Sequence, residues 1–379
     1  MNAKATKLAP LEVASRLDKL RTRFDDAQVD ALIVTNLANV RYLSGFSGSA
    51  GVVVVTAKGA LLTTDGRYRT QSAEQVQAAG VAGSLDIAIG NGEGQRAAVK
   101  AALVAASAAR VGLESEDVSW AASRRWRELF EGEAEGIPAT GIVEGLREVK
   151  DAGELDRMAR AAAIADAALV EVLPMLAEVG KTTITEEEFA LVLDTAMRRG
   201  GAEDRAFDTI VAAGPHSAKP HHQPTATALA PGDPVVVDFG ATFEGYRSDM
   251  TRTFWLGGEP TGEMARVFAV VKDSQARGVA AVRAGVSAKD VDTVCRDVIT
   301  EAGWADRFEH GTGHGVGLDI HEAPTVSQQG AAILAPGVVV TVEPGVYLPG
   351  VGGVRIEDTL VVTEDGSRTL TGFTKDVAA

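Results

Sequence analysis

The sequence predicts two layered domains, an α/β unit followed by an α+β unit. Three observations lead to this expectation. First, 379 residues are more than one hydrophobic core ordinarily organises, so two domains are the natural starting point. Second, short apolar runs alternate with helix-patterned segments over residues 1–146, the signature of a central sheet with helices around it. Third, from Phe207 onward strand-and-turn segments surround a block of two helices. That pattern means helices gathered against a mainly antiparallel sheet. The predicted domains are 1–146 and 147–379.

The elements follow in order. Val13, Leu17, Leu20 and Phe24 recur at spacings of four, three and four, which predicts an amphipathic helix over 10–24. Apolar runs at 31–34, 51–56 and 60–64 read as buried strands. Helices are expected at 67–79 and 95–109, then a strand at 110–114. Gly90-Asn91-Gly92-Glu93-Gly94 lacks the Gly-Lys-Ser/Thr ending of a phosphate loop and reads as a plain loop. Arg124, Arg125 and Arg127 read as a solvated helix face. Past 147 comes a long alanine-rich helix over 152–173. Another helix covers 184–199, opened by Thr185 with Glu188 three residues on, a capping box. Strands are expected at 207–212, 234–239, 246–255, 337–343 and 353–363, with helices at 263–284 and 288–302.

Bulk composition narrows the function. A formal charge of -15 and a pI near 4.9 argue against nucleic-acid partners, which require a basic footprint. Cys295 is the sole cysteine, so no internal disulfide forms and a reducing compartment fits. No apolar run approaches the roughly 20 residues that span a bilayer. The first residues lack a signal peptide's apolar core. A cytoplasmic protein with no membrane partner is expected.

Chemistry gathers in the second domain. His310 to His321 reads His-Gly-Thr-Gly-His-Gly-Val-Gly-Leu-Asp-Ile-His, holding three of the six histidines and four glycines. Glycine gives up side-chain packing for close backbone approach, and neutral imidazoles suit metal binding and proton transfer. Carboxylates also stand where buried strands should be apolar. Asp238 follows Val235-Val236-Val237, and Asp249 returns eleven residues later. Glu343 closes the run Val338 to Val342, and Glu357 follows Val354-Arg355-Ile356. Taken singly, each acid is compatible with a surface or salt-bridge role. Buried together, they require positive charge, more than Arg355 supplies. Four carboxylates and an imidazole suit Mn²⁺, Co²⁺, Fe²⁺ or Zn²⁺. Bridging carboxylates with two ions roughly 3.5–4 Å apart would activate a water and polarise a carbonyl.

Five segments carry a resemblance: Val237 to Gly240, Ser248 to Thr253, His310 to Gly315, Thr341 to Gly345, and Arg355 to Thr359. They resemble the pita-bread metallopeptidases, most closely the Xaa-Pro branch of aminopeptidase P and prolidase. Segments 39–49 and 64–68 are similar to the creatinase-like front domain of that branch. The resemblance implies a dinuclear site with Asp238, Asp249, His314, Glu343 and Glu357 as metal ligands and Mn²⁺ as the favoured ion. It implies that Asp249 and Glu357 bridge the ions, that a metal-bridging hydroxide attacks, and that Glu343 also shuttles the proton of the attacking water. His221 and His321 would steady the scissile carbonyl and the tetrahedral intermediate. His310 would line the substrate pocket, and Arg355 would orient the bridging acids from behind. Proline-containing peptides are the implied substrates and a homodimer the implied assembly.

Two departures stand out. His222 follows His221 where the family commonly has glycine, which leaves His222 as an alternative for that role. His216 stands where asparagine is frequent and reads as a loop residue. Cys295 reads as a packing residue. The sequence favours Xaa-Pro aminopeptidase over Xaa-Pro dipeptidase (prolidase), because the front segments look more like the former. A metal-free, creatinase-like hydrolase or a non-catalytic binding relative would have lost ligands, and none is missing here.

Overall fold

The computed structural model describes residues 7–376. Its chain divides into two compact units, one of residues 10–147 and one of residues 148–376 with 7–9. Residues 7–9 join the second unit through Ala9, whose N–H donates to Asp156 at 2.8 Å.

The first unit is built on a six-stranded mixed sheet among the described residues. Its order is Asp86–Ile89, Ala60–Thr64, Val52–Thr56, Ala31–Val34, Arg110–Glu114 and Glu135–Ala139. The two central strands carry runs such as Val53-Val54-Val55 and Leu32-Ile33-Val34, wholly buried, as sheets covered on both faces require. The segment 37–44 is a helix that the sequence reading left unassigned. Asn36 caps it, accepting from the N–H groups of Ala38 and Asn39, and Gly45 ends it at φ 73°. The Gly90–Gly94 segment, expected to be a plain loop, instead opens the helix Gly92–Ala106. The side chain of Asn91 accepts from Gly94 N–H at 2.9 Å and so nucleates the first turn.

The second unit is α+β. Ala152–Val172 and Glu186–Arg199 carry the capping boxes Asp151/Glu154 and Thr185/Glu188. Gly262–Ala281 and Ala288–Glu301 pack against each other. Among the described residues, the pairings between this unit's strands are antiparallel. Three expected features differ from the structure in one way. The strand expected at 246–255 is broken at Ser248-Asp249 into Tyr246–Arg247 and Met250–Trp255. The strand expected at 353–363 is broken at Ile356-Glu357 into Gly352–Arg355 and Asp358–Val362. The strand expected at 337–343 stops at Val342, before Glu343. Each interruption falls on an acid that the sequence singled out. The chain changes sheets there, and backbone groups freed from one ladder find partners elsewhere. Glu357 N–H donates to Thr251 at 3.1 Å, and Glu343 N–H to Thr312 at 2.8 Å.

Candidate active site

Strand register brings the acids together. Asp238 on Pro234–Phe239 lies opposite Thr251. Asp249, two residues before Thr251, therefore shares the face of Asp238 by the period of two. Val342 pairs with Asp358, so Glu343 and Glu357 meet one step further along. His314 stands between Gly313 and Gly315, and this is where glycine is needed. A β-carbon at either would come within 2.1 Å of the backbone oxygens of Thr341 and Ala323 respectively. The bare backbone lets the His314 segment lie flat on its neighbours.

Asp238, Asp249, His314, Glu343, Glu357, His221, His310, His321 and Arg355 all line one cavity of about 650 Å³. Asp238, Asp249 and Glu357 each offer an oxygen, and these lie within 4.8 Å of one another. Asp249 and Glu357 are buried. Burial, followed by the charge of neighbouring acids, pushes the carboxyls of Asp249 and Glu357 well above the ordinary range. Burial raises Glu343 to about 7, with Arg355 opposing the rise.

Arg355 is the buried cation in this group. Its Nη2 donates to Asp238 at 2.7 Å, its Nε to Thr251 at 3.1 Å, and its Nη1 to Tyr347 at 2.9 Å and the Pro220 carbonyl at 3.2 Å. One guanidinium does not balance four carboxylates. Asp238 Oδ1 and Glu357 Oε1 are buried without a hydrogen-bond partner among the described residues.

The histidine tautomers sharpen the picture. His314 Nδ1 lies 2.9 Å from the Gly315 carbonyl, which only accepts, so Nδ1 carries the proton. Burial lowers the pKa of this ring and so favours its neutral form. Its bare Nε2 then faces Asp249 Oδ2 at 3.6 Å and Glu343 Oε1 at 3.4 Å. A lone pair facing two carboxylate oxygens is repulsive unless a proton or a cation stands among them. The orphaned oxygens and this lone pair fit divalent ions held by the five residues. A carbonyl acceptor behind a ligating imidazole is also the usual support for such a ligand.

His310 is wired differently. Its Nδ1 donates to the Gly311 carbonyl at 2.7 Å, and Nε2 accepts from Tyr347 Oη at 2.8 Å. Tyr347 Oη in turn accepts from Arg355. Both ring nitrogens are committed, so His310 meets a substrate as a wall. Burial first, then Arg355, lowers it to about 4. The His321 ring meets His314 edge-on, with centroids 4.5 Å apart. Burial, then His314, lowers the pKa of His321.

His221 and His222 both line the cavity, but His222 Nε2 is engaged by Glu186 at 2.9 Å. His216 is more than a loop residue. Its Nδ1 lies 3.0 Å from Glu186, and its ring sits 4.2 Å from that of His222.

Three site residues escaped the sequence reading. Thr251 Oγ1 donates to Glu357 at 2.7 Å, and Thr341 Oγ1 to Glu343 at 3.1 Å. Each lies two residues from a singled-out acid on the same strand face, so the period of two could have found both. Tyr347 carries no such signal; it sits in a short strand across from Gly353.

With this geometry in view, the likeness to known proteins is specific. Residues 156–364 match the model of metallopeptidase family M24, and residues 16–149 match the Creatinase/Prolidase N-terminal domain. The chain belongs to metallopeptidase family M24. It is a peptidase of a family that works with divalent metal ions. An Xaa-Pro dipeptidase from Bacillus anthracis superposes with TM-score 0.90 at 37% identity, covering 97% of this chain and 99% of that one. An X-Pro aminopeptidase from Thermotoga maritima superposes with TM-score 0.84 at 34% identity, covering 96% and 99%. An Xaa-Pro dipeptidase of Pyrococcus furiosus is 41% identical over 230 residues, 61% of this chain and 65% of that protein. Among the described residues, no helix is long and apolar enough to cross a membrane.

Proposed function

We propose that this M24 peptidase hydrolyses the Xaa-Pro bond and that Xaa-Pro dipeptides are its principal substrates. The observation that carries the reading is the convergence in one cavity of five ligand-type side chains with His221, His310 and His321. The dipeptidase reading, which the sequence ranked second, now stands ahead of the aminopeptidase reading. Its support is the likeness to the Bacillus anthracis and Pyrococcus furiosus proteins, both named as dipeptidases. The likeness to the Thermotoga maritima aminopeptidase keeps longer peptides as the second reading.

In this reading Asp238, Asp249, His314, Glu343 and Glu357 hold two divalent ions. When bound, such ions polarise the scissile carbonyl and make water a competent nucleophile near neutral pH. The chain's own groups do the rest. Glu343, steadied by the Thr341 hydroxyl, takes the proton of the attacking water. It then delivers that proton to the proline nitrogen, which as a tertiary amide has none of its own. His221 and His321 donate to the oxygen that gains negative charge. Arg355 holds and aims Asp238, and the His310 ring, fixed by Tyr347, forms a wall beside the substrate.

Hydrolysis of Ala-Pro and of Ala-Pro-Pro-Ala by protein stripped of metal and reloaded with Mn²⁺ tests the proposal. Cleavage of the dipeptide with little release of alanine from the tetrapeptide supports it. Efficient release from the tetrapeptide moves the assignment to aminopeptidase. Failure on both peptides with two ions bound removes the Xaa-Pro assignment.

A further inference from the structure

Glu186 is a heavily hydrogen-bonded carboxylate outside the cavity's ligand group. It is fully buried at the first turn of the helix Glu186–Arg199. Among the described residues, five donors converge on it. Oε1 accepts from Ala213 N–H at 2.9 Å and lies 3.0 Å from His216 Nδ1. Oε2 lies 2.9 Å from His222 Nε2 and accepts from Thr225 N–H at 3.0 Å and Thr225 Oγ1 at 2.8 Å. The two backbone donors sit at the two ends of the segment 213–225, and the two imidazoles lie between them. That segment carries His221 into the cavity, and its Pro220 carbonyl accepts from Arg355, the partner of Asp238.

From these contacts we infer that Glu186 is a positioning residue, a clamp that fixes the segment 213–225 and so sets where His221 meets the substrate. The inference rests on the proposed role of His221 in Xaa-Pro hydrolysis. Burial alone would raise the Glu186 carboxyl, but its donors outweigh burial and hold it below the ordinary value. The carboxylate is therefore ionised and needs no further cation. Its lone pairs are already taken, which distinguishes this cluster of one acid and two imidazoles from a metal centre. His222 contributes through Glu186, and the stacking of His216 on His222 closes the clamp on its solvent side.

A double-mutant cycle on the metal-loaded full chain tests the inference. Glu186→Gln keeps the shape but turns one acceptor into a donor facing donors. We expect two bound ions per chain, kcat for Ala-Pro down by about tenfold or more, and KM within about twofold. In a His221→Ala background the same change is expected to cost little further, because the clamp acts through that imidazole. Additive losses in the cycle, or wild-type kcat for Glu186→Gln, overturn the inference. If Glu186→Gln does not fold, Thr225→Val, which removes the hydroxyl that donates to Glu186 and bonds to Thr227, enters the same cycle with the same two outcomes. A zinc titration gives an independent check. A third ion in the wild type that is lost in His216→Asn would make the cluster a metal site and overturn the clamp. If the wild type cleaves no Xaa-Pro peptide, the proposed function fails and amide hydrogen exchange decides the clamp. Lost protection over 213–225 in Glu186→Gln supports it, and unchanged protection overturns it.

Discussion

Glu114 in the first unit and Glu357 in the second are both buried glutamates, and they have opposite surroundings. Glu114 closes the strand Arg110–Glu114 amid donors. Its Oε2 accepts from the N–H groups of Thr35 and Asn36 at 2.6 and 2.8 Å, and its Oε1 from Asn39 Nδ2 at 2.7 Å. Glu357 has the Thr251 hydroxyl on one oxygen and nothing among the described residues on the other, with further acids around it. The contrast teaches that a buried acid alone does not mark a site. The deficit of donors does, because a carboxylate left short of hydrogen bonds in a dry place must take up a proton or a cation. Glu186 falls on the Glu114 side of this line.

The largest break in the comparison comes from the under-satisfied group. Asp249→Asn or Glu357→Gln is expected to abolish Xaa-Pro hydrolysis and release at least one ion, read by turnover and metal analysis. Full activity with two ions would remove these acids from the ligand set. Next in size, His321→Ala should keep both ions and lose about 10²- to 10³-fold in kcat, the usual loss on removing one oxyanion donor. Wild-type turnover would take His321 out of the mechanism. Smaller again, Glu114→Gln should leave metal content and kcat unchanged while costing about 1–3 kcal/mol of stability, because an amide donor then faces donors. A denaturant titration reads this, and a loss of metal would erase the distinction between the two glutamates.

A change of pH reads the same contrast without a mutation. In metal-free protein Glu343 rises from its ordinary 4.5 to about 7, so the folded state binds a proton that the unfolded state has released. Stability is then full below about 4.5 and declines as pH rises towards about 7, by no more than about 1.4 kcal/mol per pH unit for each such group. Asp249 and Glu357, shifted in the same direction, extend the decline. Thermal melts of chelated protein between pH 5 and 7 should show it, and saturating Mn²⁺ should flatten it. A chelated protein that gains stability over that range would contradict the raised carboxyls.

The acids were legible because a carboxylate closing an apolar run offends the burial pattern, as Asp238 does after three valines. The histidines were legible by their crowding into one segment. The strand breaks at Ser248-Asp249 and Ile356-Glu357 were not, since β propensity continues through both and only tertiary pairing interrupts the ladder. The helix 37–44 hid because its first turn depends on one capping side chain, Asn36. Glu186 hid for a different reason. Beside Thr185 and two further glutamates it looks like any acid at a helix start, favoured there by the helix dipole. Its burial comes from the distant segment 225–228, which packs across that helix end through Thr225 and Thr227. Tyr347 gave no local sign at all. The expected preference for longer peptides failed to hold its lead because it rested on the look of the front segments alone, whereas the likeness to proteins named as dipeptidases favours the shorter substrate.

The broken strands also bear on timing. Thr251 and Glu357, joined at 2.7 Å, are 106 residues apart in sequence, and Arg355 reaches back 117 residues to Asp238. No early hairpin can gather the five ligands. In the proposed reading the two-ion site forms only after the two sheet fragments have found each other, a slow step because distant contacts must be brought together first. Metal uptake in this chain is therefore a clock that starts when folding is nearly finished, and a stopped-flow trace of ion binding during refolding would lag the recovery of secondary structure.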